Sequence, residues 1–104
     1  MEYAICYITA SGQKEADKIS DMLLKKKLIA CANMFPIRSR YWWKDKIVKS
    51  NEVLMFCKTR MSKSQEIIKE VKKIHSYDVP CINFIKVEKG SKDFLKWADD
   101  CIAP

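Results

Sequence analysis

Glycine and histidine are scarce in this chain of 104 residues, which has two glycines, Gly12 and Gly90, and one histidine, His75. Phosphate-binding loops need several closely spaced glycines, because their backbone must approach the phosphate closely. The two distant glycines therefore exclude nucleotide-binding loops and the anion loop of the acylphosphatases. With one histidine, the familiar catalytic constellations are hard to assemble, so we expect no enzymatic activity.

Long apolar segments are also absent. No stretch approaches the roughly 20 apolar residues of a transmembrane helix, and the chain does not begin with the basic region and cleavage site of a signal peptide. We therefore expect a cytoplasmic protein with no membrane partner. The length suits one modest hydrophobic core, so we assign residues 1–104 to a single domain.

The cysteine pattern excludes two further classes of protein. Five cysteines lie 20 or more residues apart and form no CxxC pair. This arrangement is typical neither of a disulfide framework nor of a zinc finger. Four of the five fall in strand-like segments, where cysteine usually acts as a small buried apolar residue.

The charge balance is basic, with 20 Lys and Arg against 13 Asp and Glu and a net charge of +7. Charge alone supports nonspecific attraction to anions, so we expect no specific nucleic-acid partner. An RNA-recognition module would also need a Gly-aromatic pattern in its third strand, and residues 53–59 lack it.

Hydrophobic periodicity predicts four strands and three helices. The predicted strands are 3–10, 28–43 with an interruption by Pro36 at an edge or bulge, 51–59 with its approach from 47, and 81–87. The predicted helices are 13–27, 62–75 and a last one after Gly90. A hairpin turn is expected at 44–46.

This order predicts an α+β, ferredoxin-like βαββαβ fold with a C-terminal helix and two helices on one face of an antiparallel sheet. The run Tyr41-Trp42-Trp43 places aromatic side chains on both faces of one strand, since successive residues of a strand alternate. One helical layer covers only one face, so a second subunit or a ligand must cover the other. We therefore expect an oligomer whose open sheet faces pack together.

Several ordered blocks then identify a family resemblance. They are 9–10, 27–33, 36–44, 52–54, 58–59, 75–80 and 90–97, and they cover nearly the whole chain. In order and spacing they resemble the CutA family of divalent-cation tolerance proteins. The resemblance implies one CutA-like domain that forms a homotrimer similar to the PII signalling proteins, with a role in tolerance of copper or other divalent metals and no established reaction.

The resemblance also implies a cleft between subunits that binds a ligand. The residues assigned to the cleft are Arg38, Tyr41, Trp43, Lys58 and Tyr77. The residues assigned to a copper or related divalent ion are His75, Cys31 and Cys81. Thiol and imidazole groups suit copper and zinc, although His75 can instead cap a helix, and Tyr41 and Trp43 can instead form trimer core.

Two departures from the family pattern affect this assignment. Cys81 replaces the carboxylate that follows the proline of the family's His-Pro-Tyr-Glu-Val-Pro-Glu block, and Ile8 stands where some members carry a cysteine. Cys6 has the same strand parity as Ile8. As an alternative function, a PII-like sensor would bind a small anion or nucleotide in the cleft and signal to a partner protein.

Overall fold

The computed structural model describes residues 2–104 and has three α-helices on a four-stranded antiparallel sheet. The strands are β1 Tyr3–Ala10, β2 Cys31–Trp43, β3 Lys46–Arg60 and β4 Ile82–Val87, in the spatial order β2-β3-β1-β4. The helices are α1 Gln13–Lys25, α2 Ser64–Ile74 and α3 Lys92–Cys101, and a short 3-10 turn, Met61–Lys63, precedes α2. This topology confirms the predicted ferredoxin-like α+β fold.

Two local differences from the predicted elements have simple causes. Strand β2 begins at Cys31 and not at residue 28, because Lys27 adopts a left-handed φ of 56° that ends the preceding helix. The predicted interruption at Pro36 is wrong, since β2 continues through it, whereas the edge position predicted as one alternative for this proline is confirmed. Strand β2 lies at the edge of the sheet, where one side of the backbone has no partner and proline is tolerated.

The hydrophobic core lies between one face of the sheet and helices α1 and α2. Alternate residues of β1, including Cys6 and Ile8, are fully buried there against Ile19 and Val71. Cys57 lies directly opposite Cys6 on β3, and burial raises its pKa to about 12. Burial also raises the pKa of Cys6, so both thiols stay protonated and pack as small apolar side chains.

The hairpin of β2 and β3 extends well beyond the rest of the sheet. Strand β1 stops pairing at Ala10 with Val53, whereas β2 and β3 continue through seven further pairs. Residues 37–43 and 46–52 thus form a two-stranded arm about 23 Å long. The turn at its tip has left-handed φ angles at Lys44 and Asp45, as expected for a tight hairpin.

The sheet face opposite α1 and α2, which we call the open face, is largely uncovered. Its exposed apolar residues include Phe35 and Ile85, the latter 51% exposed. Only one end is covered, by the C-terminal segment. The Arg60 guanidinium donates hydrogen bonds to the Ile102 and Ala103 carbonyls at 2.9 and 2.8 Å and pairs with Asp99 at 2.8 Å.

Over residues 2–104, none of the helices has the length and apolar composition that crossing a bilayer requires.

Arg60 should be a major contributor to the stability of the C-terminal segment. Replacing it in Arg60→Met removes two hydrogen bonds and leaves the partly buried Asp99 carboxylate without its partner, so we expect a loss of about 2–4 kcal/mol. The control, Lys96→Met, breaks the exposed ion pair with Asp100 within α3 and should cost under about 1 kcal/mol. Urea unfolding at one protein concentration measures both, and equal losses would contradict this assignment.

Candidate functional site

The structure distributes the eight predicted site residues over four places. Arg38, Tyr41 and Trp43 lie on the arm, and Cys31 and Lys58 lie where β2 and β3 pair at the other end of the sheet. His75 and Tyr77 lie in the segment after α2, beside the end of β1. Cys81 directly precedes β4.

The side chain of His75 is fully buried, and both of its ring nitrogens are hydrogen-bonded. Its Nε2 lies 2.8 Å from the Thr9 carbonyl oxygen, at the end of β1, and its Nδ1 accepts a hydrogen bond from the Tyr77 backbone N–H at 3.1 Å. A carbonyl can only accept, so Nε2 carries the proton. The ring thus joins the sheet to the segment that follows α2.

Glu15, in the first turn of α1, holds the same segment from the helix side. Its two carboxylate oxygens accept hydrogen bonds from the backbone N–H groups of Ser11 at 2.9 Å and Ser76 at 2.8 Å. Burial acts to raise the pKa of Glu15, but these hydrogen bonds outweigh it and lower the pKa to about 2. The carboxylate therefore stays charged and connects the loop at Ser11 to the segment at Ser76.

Tyr77 extends this connection to the base of the arm. Its ring packs on His75 with centroids 4.8 Å apart, and its hydroxyl donates a hydrogen bond to Glu52 Oε2 at 2.7 Å. Glu52 is only 6% exposed. Burial and this carboxylate raise the pKa of Tyr77, so the hydroxyl keeps the proton that it donates.

We call Thr9, Glu15, Glu52, His75 and Tyr77 the anchor cluster. It links β1, α1, the segment after α2 and β3 through hydrogen bonds between residues far apart in sequence. The sequence pointed to His75 and Tyr77 as site residues, whereas neither glutamate was predicted to belong to the site. A carboxylate at the start of the apolar run 53–57 was the available signal for Glu52.

Cys31 and Lys58 are directly opposite each other on β2 and β3, so the structure brings this predicted pair together. The pair lies on the open face, level with Ile5 of β1. The Lys58 ammonium donates a hydrogen bond to the Asn33 side-chain oxygen. Cys31 remains partly exposed beside it.

Arg38 does not share a surface with the other predicted cleft residues. Because side chains alternate along a strand, Tyr41 and Trp43 share one face of β2 and Arg38 lies on the other. Tyr41 and Trp43 continue the open face, on which Lys58 also lies. Within one subunit, the predicted five-residue set therefore does not line a single surface.

The three predicted metal ligands do not meet within one subunit. Cys31 belongs to β2 and Cys81 precedes β4, which are the two outer strands of the sheet, so about 14 Å of sheet separates them. His75 already uses both ring nitrogens. Over residues 2–104, no three His, Cys, Asp or Glu side chains are arranged to hold a metal ion. The metal assignment remains a prediction, and a single chain does not bring its three residues together.

The charge of Glu15 should make the fold sensitive to acid. Its folded pKa of about 2 lies below the reference value of 4.5, so its stabilisation is complete above about pH 4.5 and is lost as the pH falls towards 2. Glu15→Gln should lose about 2–3 kcal/mol at pH 7 and show a flatter decline below pH 4.5. Unfolding measured from pH 2 to 7 tests this.

The control for Glu15 is Glu66→Gln, which neutralises an exposed carboxylate in the first turn of α2. It should leave the pH profile close to that of the unmodified protein. Superimposable profiles for the two variants would contradict the role assigned to Glu15.

Comparison with known proteins shows extensive similarity to one family. The model of the CutA1 divalent ion tolerance protein family matches residues 4–101. The divalent-cation tolerance protein CutA of Archaeoglobus fulgidus is 49% identical over 96 residues, which cover 92% of this chain and 94% of that protein. Its counterpart in Pyrococcus horikoshii is 42% identical over 93 residues, covering 89% and 91% of the two chains.

Solved structures give the same result. The structure described as the periplasmic divalent cation tolerance protein CutA from Archaeoglobus fulgidus superposes with a TM-score of 0.95 at 46% identity, covering 97% of this chain and 99% of that chain. CutA1 from Pyrococcus horikoshii superposes with a TM-score of 0.93 at 38% identity, covering 97% and 99%. Sequence and fold therefore agree over nearly the whole length, and this chain belongs to the CutA1 divalent ion tolerance family.

Proposed function

We propose that this protein acts in divalent-cation tolerance as a non-enzymatic homotrimer that binds copper or a related divalent metal ion between its subunits. The observation that carries the proposal is the family match over residues 4–101 together with an apolar sheet face that the single chain leaves uncovered. Its site of action is the cytoplasm. The Archaeoglobus relative is described as periplasmic, so cell fractionation is the direct test of location.

Assembly of the trimer is supported by two surfaces that a single chain cannot shield from water. The open face exposes Phe35 and Ile85, and the arm exposes Tyr41 and Trp43 at about 40% each on the same side. A two-stranded ribbon is marginally stable on its own in water. Packing the open faces of three subunits together buries these residues and supports each arm along one side.

Metal binding in this trimer depends mainly on the thiols. Cys31 and Cys81 are partly exposed and unbridged, and thiolates are preferred ligands of copper and zinc. His75 can join them only by giving up its contact with Thr9 or Tyr77. Two thiols from neighbouring subunits therefore form the core of the proposed site, and an imidazole is an additional ligand.

A PII-like sensor is the second candidate function. It is supported by Lys58, whose ammonium would meet an anionic ligand in a cleft between subunits, whereas the Tyr77 hydroxyl already donates to Glu52. The hydrogen bond from Lys58 to Asn33 holds its ammonium on the open face. A nucleotide or small anion that binds there should raise the melting temperature by mass action.

The metal proposal predicts thiol-dependent binding. Titration of the reduced, metal-free protein with Cu(I), Cu(II) and Zn(II) should show stoichiometric uptake, and Cys31→Ala should weaken it at least about tenfold because a ligand is lost. Calorimetry with native mass spectrometry measures affinity and stoichiometry together. The reducing agent is removed anaerobically before the titration and free thiols are counted afterwards, so that oxidation of thiols by Cu(II) is not mistaken for binding.

Cys101→Ala is the matched control, because Cys101 is also a partly buried thiol but lies in α3, outside the predicted site. Its uptake should equal that of the unmodified protein. Weak uptake that neither cysteine substitution changes would overturn the metal proposal and leave the trimer intact.

The trimer proposal predicts that a charge on the open face prevents assembly. Ile85 is paired with Ile5 on this face and lies on the edge strand β4, so Ile85→Glu would bury an unpaired carboxylate in the interface, at a cost of about 3 kcal/mol or more. Sedimentation at micromolar concentration should show dissociation. Leu24→Glu, on the outer side of α1, should remain trimeric. An Ile85→Glu variant that sediments as a trimer would contradict the model.

A further inference from the structure

The arm has a second side, which we call the outer face and which is strongly basic. Three cross-strand pairs form it: Arg38 with Asn51, Arg40 with Lys49, and Trp42 with Ile47. All six side chains are exposed. A shallow depression on the arm is lined by Arg38, Arg40, Lys49 and Asn51 and by Ser39 and Ser50 between them.

Strand alternation places this outer face away from the open face. It continues the row of Met34 and Met55, which pack on the helix side of the sheet. The trimer proposed above packs the open faces together, and the outer face lies on the other side of the arm. The predicted ligand cleft, with Tyr41 and Lys58, lies on the opposite side.

The charges on the outer face are not neutralised by the protein. Arg40 and Lys49 are directly opposite each other, and like charges in this position destabilise a strand pair. Over residues 2–104, no carboxylate forms an ion pair with Arg38, Arg40 or Lys49. The nearest acidic residue along β3 is Glu52, which lies on the other face and accepts from Tyr77. A bound anion would relieve this repulsion.

We infer that the outer face of the arm is a binding site for a ligand with two adjacent phosphate groups. Directly opposed side chains are about 5 Å apart at Cβ and successive ones on a strand about 7 Å, so Arg40 and Lys49 meet one phosphate and Arg38 meets the next. Guanidinium groups bind phosphate through two parallel hydrogen bonds, and the Asn51 amide supplies another donor. The site uses side chains, so it needs no glycine-rich loop.

Free pyrophosphate and a nucleoside diphosphate are two ligands that contain two adjacent phosphate groups. Trp42 should favour the nucleoside diphosphate, because it follows Arg40 on the same face and is 72% exposed. An exposed indole offers a surface on which a base can stack, typically with about 1–3 kcal/mol of interaction. A nucleotide should therefore bind more tightly than pyrophosphate and quench tryptophan fluorescence, and Trp42→Ala should remove only that advantage.

The test is calorimetry on metal-free, chelator-treated protein at low ionic strength, with pyrophosphate, ADP and AMP as probes. Pyrophosphate and ADP should bind more tightly than AMP, which has one phosphate. Arg40→Gln and Lys49→Gln should each weaken pyrophosphate binding at least about tenfold, the usual effect of losing a charge-assisted hydrogen bond. Because the protein is free of metal, failure here is distinguishable from failure of the metal proposal.

Lys69→Gln is the matched control, since it removes one positive charge from an exposed position on α2. It should change pyrophosphate affinity less than about twofold. A melting curve without ligand gives a second readout: Lys49→Gln removes the repulsion with Arg40, so its melting temperature at low salt should equal or exceed that of the unmodified protein. A fall of several degrees would show that Lys49 has a stabilising partner and would contradict the inference.

Three other results would overturn the inference. The first is no measurable heat or melting shift with pyrophosphate or ADP at millimolar concentration. The second is equal weakening by Lys69→Gln, which would indicate general attraction to a basic protein. The third is much tighter binding of a single-stranded oligonucleotide through Arg40 and Lys49, which would assign the face to nucleic acid.

Discussion

The organisation of this protein depends on the two-sided nature of its sheet. Side chains alternate along every strand, and α1 and α2 cover only one of the two resulting faces. The covered face supplies the core, in which Cys6 and Cys57 pack as apolar residues. The other face keeps exposed Phe35 and Ile85. The surfaces proposed for assembly and for ligand binding follow from which residues lie on which face.

The arm has no third strand beside it within residues 2–104, because β1 pairs with β3 only as far as Ala10. The anchor cluster lies at this point. Tyr77 holds Glu52 at the base of the arm, and His75 connects Tyr77 to the end of β1. Glu15 connects the same segment to α1. His75 and Tyr77, which the sequence suggests as site residues, thus connect the base of the arm to the rest of the domain.

Much of the fold was predictable from the sequence, because strand and helix periodicities and turn residues are local signals. Strand β1 and the hairpin turn at Lys44 and Asp45 were predicted where the structure has them. The continuation of β2 through Pro36 was not, since tolerance of proline depends on β2 lying at the sheet edge. Alternation alone would have separated Arg38 from Tyr41, since they are three residues apart on one strand.

By itself, the sequence determined the order of elements, the doubly apolar strands and the family blocks, because these depend on neighbouring residues. The tertiary structure decided which distant residues meet. Only strand register placed Cys31 beside Lys58 and kept it far from Cys81. Only the path of the chain after α2 brought His75 to Thr9, 66 positions away. Contacts of this kind depend on strand pairing and packing over long sequence separations, and no local pattern of residue types encodes them.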